Sequence, residues 1–125
     1  MKSPAASAER GRQAEAATAR YLLANGFEIC EQNFKVHRVG ELDLIVRHKG
    51  QIYIVEVKAR SGSDEYGGLA QAITRTKLNR MRRTAWCYLK EKGLMNCDVS
   101  FLAALAQIDS AGKIGKLTIS PIEWL

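Results

Sequence analysis

An α/β fold with a mixed central sheet flanked by helices, in the order αβββαβ(β), is predicted by three features of the chain. Two runs rich in helix-forming residues, each closed by glycine, read as helices. Two apolar runs, Leu42 to Val46 and Ile52 to Lys58, flank the turn His48-Lys49-Gly50-Gln51 and read as one β-hairpin. A further apolar run from Asp98 to Ile108 reads as a strand, although its alanines also suit a helix.

Residues 1–8 lack the apolar segment of a secretory signal and read as a disordered tail, leaving 9–125 as a single domain. From about Ser7 to Asn25 the composition favours a first helix, which Asn25-Gly26 would stop. Glu15, Ala19, Leu22 and Leu23 share one stripe, so a carboxylate sits on the apolar face. A first-turn acid complementing the helix dipole, or a partner for Arg12, would explain Glu15 without a functional role. Phe27 to about Val36 reads as the first strand, irregular around Glu31-Gln32-Asn33. Beyond the hairpin, Arg60 to Gly68 is polar and glycine-rich, a surface loop placed to serve as a substrate flap. Leu69 to about Lys92 reads as the second helix, with Leu78, Met81, Ala85, Tyr88 and Leu89 on its apolar stripe. Lys116 to Ser120 completes the order as a short strand.

The composition of 125 residues, 46% hydrophobic and 26% charged, suits one domain with a core of its own. A net charge of +6 favours polyanionic partners, nucleic acid or an anionic membrane surface. Cys30, Cys87 and Cys97 are scattered and odd in number, which argues against a disulfide framework or a structural zinc site and fits a reducing cytoplasm. His37 and His48 are too isolated to complete a zinc site and are assigned no chemistry. No apolar stretch approaches the roughly 18 residues that span a bilayer.

Asp43, Glu56 and Lys58 interrupt the two most apolar strand-like runs. Pairing around an even-length turn sets Arg47 against Ile52, Ile45 against Ile54 and Asp43 against Glu56, with Lys58 on the same face as Glu56. Opposed Cβ atoms lie roughly 4.5–5.5 Å apart, so two ionised acids there repel unless they share a cation. A three-residue turn or a bulge would shift the partners by one and split the acids. An ion pair of Lys58 with either acid is the structural alternative, but it leaves one carboxylate unaccounted for. Two close carboxylates can instead hold a hard divalent cation, Mg2+ or Mn2+, for phosphodiester hydrolysis. On the second helix Arg75, Lys77, Arg80, Arg82 and Arg83 fall within nine residues with no acid among them, a run suited to backbone phosphates.

Asp43, twelve intervening residues and Glu56-Val57-Lys58 resemble the D…E-x-K signature of the PD-(D/E)XK nuclease superfamily. Gly11-Arg12-Gln13-Ala14-Glu15, Asn33-Phe34-Lys35, Gly40 to Ile45, Val55 to Arg60, the helix with Lys77 and Arg80, and Asp98-Val99 resemble the bacterial YraN family, similar in fold to Holliday-junction resolvases. The resemblance implies a restriction-endonuclease-like core, with Asp43, Glu56 and the main-chain carbonyl of Val57 as metal ligands. It further implies Lys58 as the catalytic lysine, Glu15 as an additional helix acid, and Gln71 as a polar residue of the helix after the motif. Ala14 stands where the family usually has glycine, and Asn96-Cys97 where it usually has Arg-Phe.

The expected function is therefore a metal-dependent nuclease acting on DNA, branched or otherwise structured, with Gln71, Arg75, Lys77, Arg80 and Arg83 binding nucleic acid. A nucleic-acid-binding protein that keeps the fold without cleaving is the second reading, and a basic accessory protein with a protein partner the third. A resolvase cuts two strands symmetrically, which suits a homodimer, though no stripe of the sequence identifies its surface.

Overall fold

Lys49 and Gly50 lie at φ 50° and 80°, the left-handed pair that closes a two-residue hairpin with the twist its strands require. They join β2 (Gly40–His48) to β3 (Gln51–Ser61) in the computed structural model of the protein, which describes residues 4–61 and 73–122. Arg47 pairs with Ile52 and Ile45 with Ile54, the register expected from the even-length turn. Outside β2 lies β1 (Glu28–Val36), antiparallel to it. On the other side β3 runs parallel to β4 (Val99–Ile108), and β5 (Ile114–Pro121) closes the sheet antiparallel to β4. The strand order is β1-β2-β3-β4-β5.

A parallel pair needs a long crossover, and helix α2 (Arg75–Lys92) lies within the one between β3 and β4. Alternation along the strands divides the core in two. Ile45, Ile52 and Ile54 pack with Leu78, Met81, Ala85, Tyr88 and Leu89 of α2. Leu44, Val46, Val55 and Val57 turn to the opposite face, where Ala14, Ala19 and Leu22 of helix α1 (Pro4–Ala24) cover them. A five-stranded mixed sheet between two helices is the arrangement of a restriction-endonuclease-like core.

Several boundaries differ from the sequence reading. Helix α1 begins at Pro4, so residues 4–8 are helical where a tail was expected; proline suits a first helical turn because that turn's N–H groups have no partner within the helix. Its buried stripe is Ala14, Thr18, Ala19 and Leu22, whereas Leu23 is exposed. Thr18 can be buried because its hydroxyl donates to the Ala14 carbonyl at 2.7 Å. Helix α2 begins at Arg75, not Leu69, because Thr74 caps it: the Thr74 hydroxyl accepts the Lys77 N–H at 3.1 Å. Arg60 and Ser61, expected at the start of a flap, belong to β3. The rest of that flap, the segment from Leu69 and the candidate Gln71 fall outside the described residues. The Asp98 to Ile108 run is a strand, with Ala103, Ala104 and Ala106 buried between the two helical layers.

Gly40 opens β2 against α2. A Cβ on it would lie 2.6 Å from Thr84 Oγ1 and 2.9 Å from Arg80 Cγ, closer than packed atoms approach. Thr84 has no slack to give, since it is fully buried and its hydroxyl donates to the Arg80 carbonyl at 2.8 Å. Gly40→Ala should therefore push the β1–β2 turn off the helix and destabilise the protein by about 1–3 kcal/mol, measured as a lower midpoint in urea unfolding.

Candidate functional site

Asp43 stands where β2 parts from β3. The ladder between them runs from His48–Gln51 to Leu44–Val55, and alternation fails just beyond: Leu42 packs in the α2-side core with Ile45, not with Leu44. Asp43 Oδ2 accepts the Val57 N–H at 2.8 Å, standing in for the carbonyl that a continued ladder would have supplied. In an extended strand the N–H and C=O of one residue point to the same neighbour. The Val57 carbonyl therefore faces the Asp43 side of β3.

This irregularity brings the two acids together. The Asp43 and Glu56 carboxyls are hydrogen-bonded to each other, and burial followed by the neighbouring Glu56 pushes the Asp43 carboxyl up to about 8. Burial opposes the charge on Glu56, but hydrogen bonds from Asp43 and Lys77 outweigh it and hold that carboxyl low. Of the pair, Asp43 is therefore the acid that takes up a proton more readily, and Glu56 the one whose charge is favoured. A salt bridge of 2.5 Å joins Glu56 Oε2 to Lys77 Nζ, so the bridge at Glu56 comes from α2 rather than from Lys58. Lys58 is half-buried beside them, and the adjoining Lys77, then burial, push its amine down. Burial also disfavours charge on Lys77, yet Glu56 holds its ammonium above the ordinary range.

Glu15 joins this cluster from α1. Lying well inside a helix that starts at Pro4, it is not a first-turn acid, and Arg12 pairs instead with Glu9 at 2.7 Å. Burial raises the Glu15 carboxyl against a hydrogen bond with Asn33, and the charges of Glu41 and Glu56 raise it further. Asn33 sits at φ 53° in β1, a backbone state that asparagine tolerates better than most residues.

A cleft of about 940 Å3 opens over the acids, lined by the β1–β2 turn from Lys35 to Glu41, by Asp43 and Glu56, and by Lys77, Arg80 and Met81 of α2. Its floor is acidic and its rim, through Lys35, Arg38, Lys77 and Arg80, is basic. The structure therefore gathers Asp43, Glu56, Lys58, Glu15 and Lys77 in one place and puts Arg80 on the rim, whereas Arg75 and Arg83 are exposed on α2 outside the cleft lining. Lys35, Arg38, Asn33 and Glu41 were missed by the sequence reading. Asn33, Lys35 and Glu41 lie in the motif blocks that carry the family resemblance, and Lys35, His37 and Arg38 form a basic cluster just ahead of the hairpin. His48 remains structural, its ring stacked on Phe27 at 4.5 Å and bonded to the Gly26 carbonyl at 3.1 Å.

The family model described as uncharacterised protein family UPF0102 matches residues 14–109. The chain belongs to this family. It is 41% identical to a UPF0102 protein of Pelotomaculum thermopropionicum over 107 residues, covering 86% of this chain and 88% of the relative. A UPF0102 protein of Hahella chejuensis is 38% identical over 104 residues, covering 83% and 82% respectively. A third, from Acetivibrio thermocellus, is 42% identical over 91 residues, covering 73% and 69%. The UPF0102 match is the YraN family read from the motif blocks, and it contains the whole acid–lysine cluster.

The donor chemistry of this UPF0102 site fits a hard cation. Its candidate ligands are oxygens, and a lysine ammonium already sits on Glu56 as a stand-in positive charge. Among the described residues no group of three His, Cys, Asp or Glu side chains is placed to hold a metal, so any cation here would rest on the two carboxylates, the Val57 carbonyl and water.

The proton on Asp43 makes a prediction about stability. An acid with an ordinary value of 3.8 that rises to about 8 on folding stabilises the fold below its unfolded value. That contribution fades as pH climbs through the folded value. Asn mimics the protonated acid, so with a chelator present Asp43→Asn should unfold near the wild-type temperature at about pH 4 and above it at about pH 9. Thermal melts at the two pH values check this.

Proposed function

We propose that this protein is a metal-dependent nuclease that hydrolyses phosphodiester bonds in DNA, branched or otherwise structured. The observation that carries the reading is the meeting of Asp43 and Glu56, with Lys58 beside them, on the floor of a cleft with a basic rim. A divalent cation, Mg2+ or Mn2+, held by Asp43, Glu56 and the Val57 carbonyl would polarise a scissile phosphate and acidify a water next to it.

The chain's own groups supply the rest. Lys35, Arg38 and Arg80 bind flanking phosphates at the rim by charge and without reading bases. Lys58, half-buried beside the two acids, adds positive charge where the transition state gains negative charge. Glu15, held by Asn33 and facing the Glu56 side, adds a further carboxylate next to the reacting centre. The Val57 N–H fixes the Asp43 carboxyl so that one oxygen remains directed to Glu56.

The second reading, nucleic-acid binding without cleavage, is favoured by one observation: Lys77 already neutralises Glu56. Branched, duplex and single-stranded DNA incubated with Mg2+ or Mn2+ separates the two. Cleavage that needs metal and disappears in Asp43→Ala, with DNA affinity kept, is the expected result. Cleavage by Asp43→Ala would remove this site from the chemistry. Separately, Arg38→Ala with Arg80→Ala should weaken DNA binding and lower the slope of its salt dependence by about two units, close to one per lost phosphate contact. Affinity titrations at several salt concentrations read that slope.

A further inference from the structure

We propose that Lys77 is an exchangeable counter-cation: it neutralises Glu56 while no metal is bound, and on metal entry moves from Glu56 to a phosphate oxygen of DNA in the same cleft. This rests on the metal-dependent reading above and adds to it that metal and DNA binding reinforce each other through one side chain.

The argument begins with position. Lys77 occupies the first turn of α2, where the Thr74 hydroxyl holds its main-chain N–H at 3.1 Å, so its backbone is fixed and any displacement of the ammonium must come from rotation of its long side chain. The ammonium contacts Glu56 Oε2 at 2.5 Å, an oxygen that a metal would need. Glu56 is 7% exposed at its side chain but Lys77 35%, so the carboxylate cannot retreat into water and the lysine can. Lys58 is no substitute, because it stands on β3 within the sheet and the bridge to Glu56 is not its own.

Charge then decides what must move. Two lysines, Lys58 and Lys77, already lie close together beside the two acids. A divalent ion would bring its positive charge into contact with both lysines, and repulsion at that range is strong in a partly buried site. Release of Lys77 removes the worst of it. The same cleft offers Lys77 a second anion, since Lys35, Arg38 and Arg80 line it with phosphate-binding charge. A ligand that frees a group needed by a second ligand raises the affinity for that second ligand, and the effect is reciprocal.

The test uses the full chain, with Mn2+ binding followed by calorimetry and labelled branched DNA by anisotropy. The variants are Lys77→Met, which keeps the apolar stem and loses the charge, and Lys77→Arg, which keeps the charge. Without DNA, Lys77→Met should bind Mn2+ about tenfold tighter than wild type, the scale of one lost charge-assisted hydrogen bond, while Lys77→Arg stays near wild type. Mn2+ should raise DNA affinity in wild type and fail to do so in Lys77→Met. Equal or weaker Mn2+ binding by a folded Lys77→Met protein overturns the exchange. So does wild-type-like coupling in that variant, or tighter Mn2+ binding by Lys77→Arg if Lys77→Met does not fold. Absence of Mn2+ binding in every variant and in wild type is a different failure, since it removes the metal-dependent reading itself.

Discussion

The hydrogen bond from the Val57 main chain to the Asp43 carboxyl holds together the geometry on which the site depends. It ends the β2–β3 ladder without leaving the Val57 N–H unpaired, a saving that matters in a buried strand. It also turns Asp43 toward Glu56, so a side chain does the work of backbone pairing and becomes part of the acidic floor. Sheet irregularities next to active sites commonly redirect side chains in this way. Here the redirected group is an acid, and the cost of burying it is met by a proton and by a lysine from the facing helix.

The helix and the sheet are matched at that point. Gly40 lets the start of β2 pass directly beneath Arg80 and Thr84, bringing the first turn of α2 within reach of the acids. On the other face Ala14 is fully buried, and a small side chain there keeps α1 close enough to the sheet for Glu15, its neighbour in sequence, to reach Asn33. The two helices thus approach from opposite sides and each delivers one charged side chain to the same end of the sheet.

Much of this was legible in the residues. The hairpin register followed from the length of the turn between the two apolar runs. That register also led to the expectation that Asp43 faces Glu56, yet the ladder stops at Leu44–Val55 and the acids meet through the irregularity beyond it. Charge pattern groups Lys77 with Arg75, Arg80 and Arg83, and only the packing of α2 over β2 shows that its ammonium also reaches Glu56. The fully regular strand assumed for β2 was also too simple, since nothing local to Leu42 reveals that it joins Ile45 rather than Leu44. Glu15 could not be separated from a dipole-pairing acid until the helix start at Pro4 was known. The Thr74 cap, by contrast, is an ordinary helix-start signal, set behind a stretch from Leu69 whose residues also suit a helix.

The two outer strands carry a consequence of their own. On one border β1 is broken by a register shift between Ile29 and Glu31 and by the left-handed Asn33; on the other, β5 shifts register against β4 near Ile108, carries Lys116 and terminates at Pro121. Kinks, lysine and proline are the features by which sheet borders refuse further strands. Both borders of the sheet thus disfavour the addition of a strand from another copy of the chain.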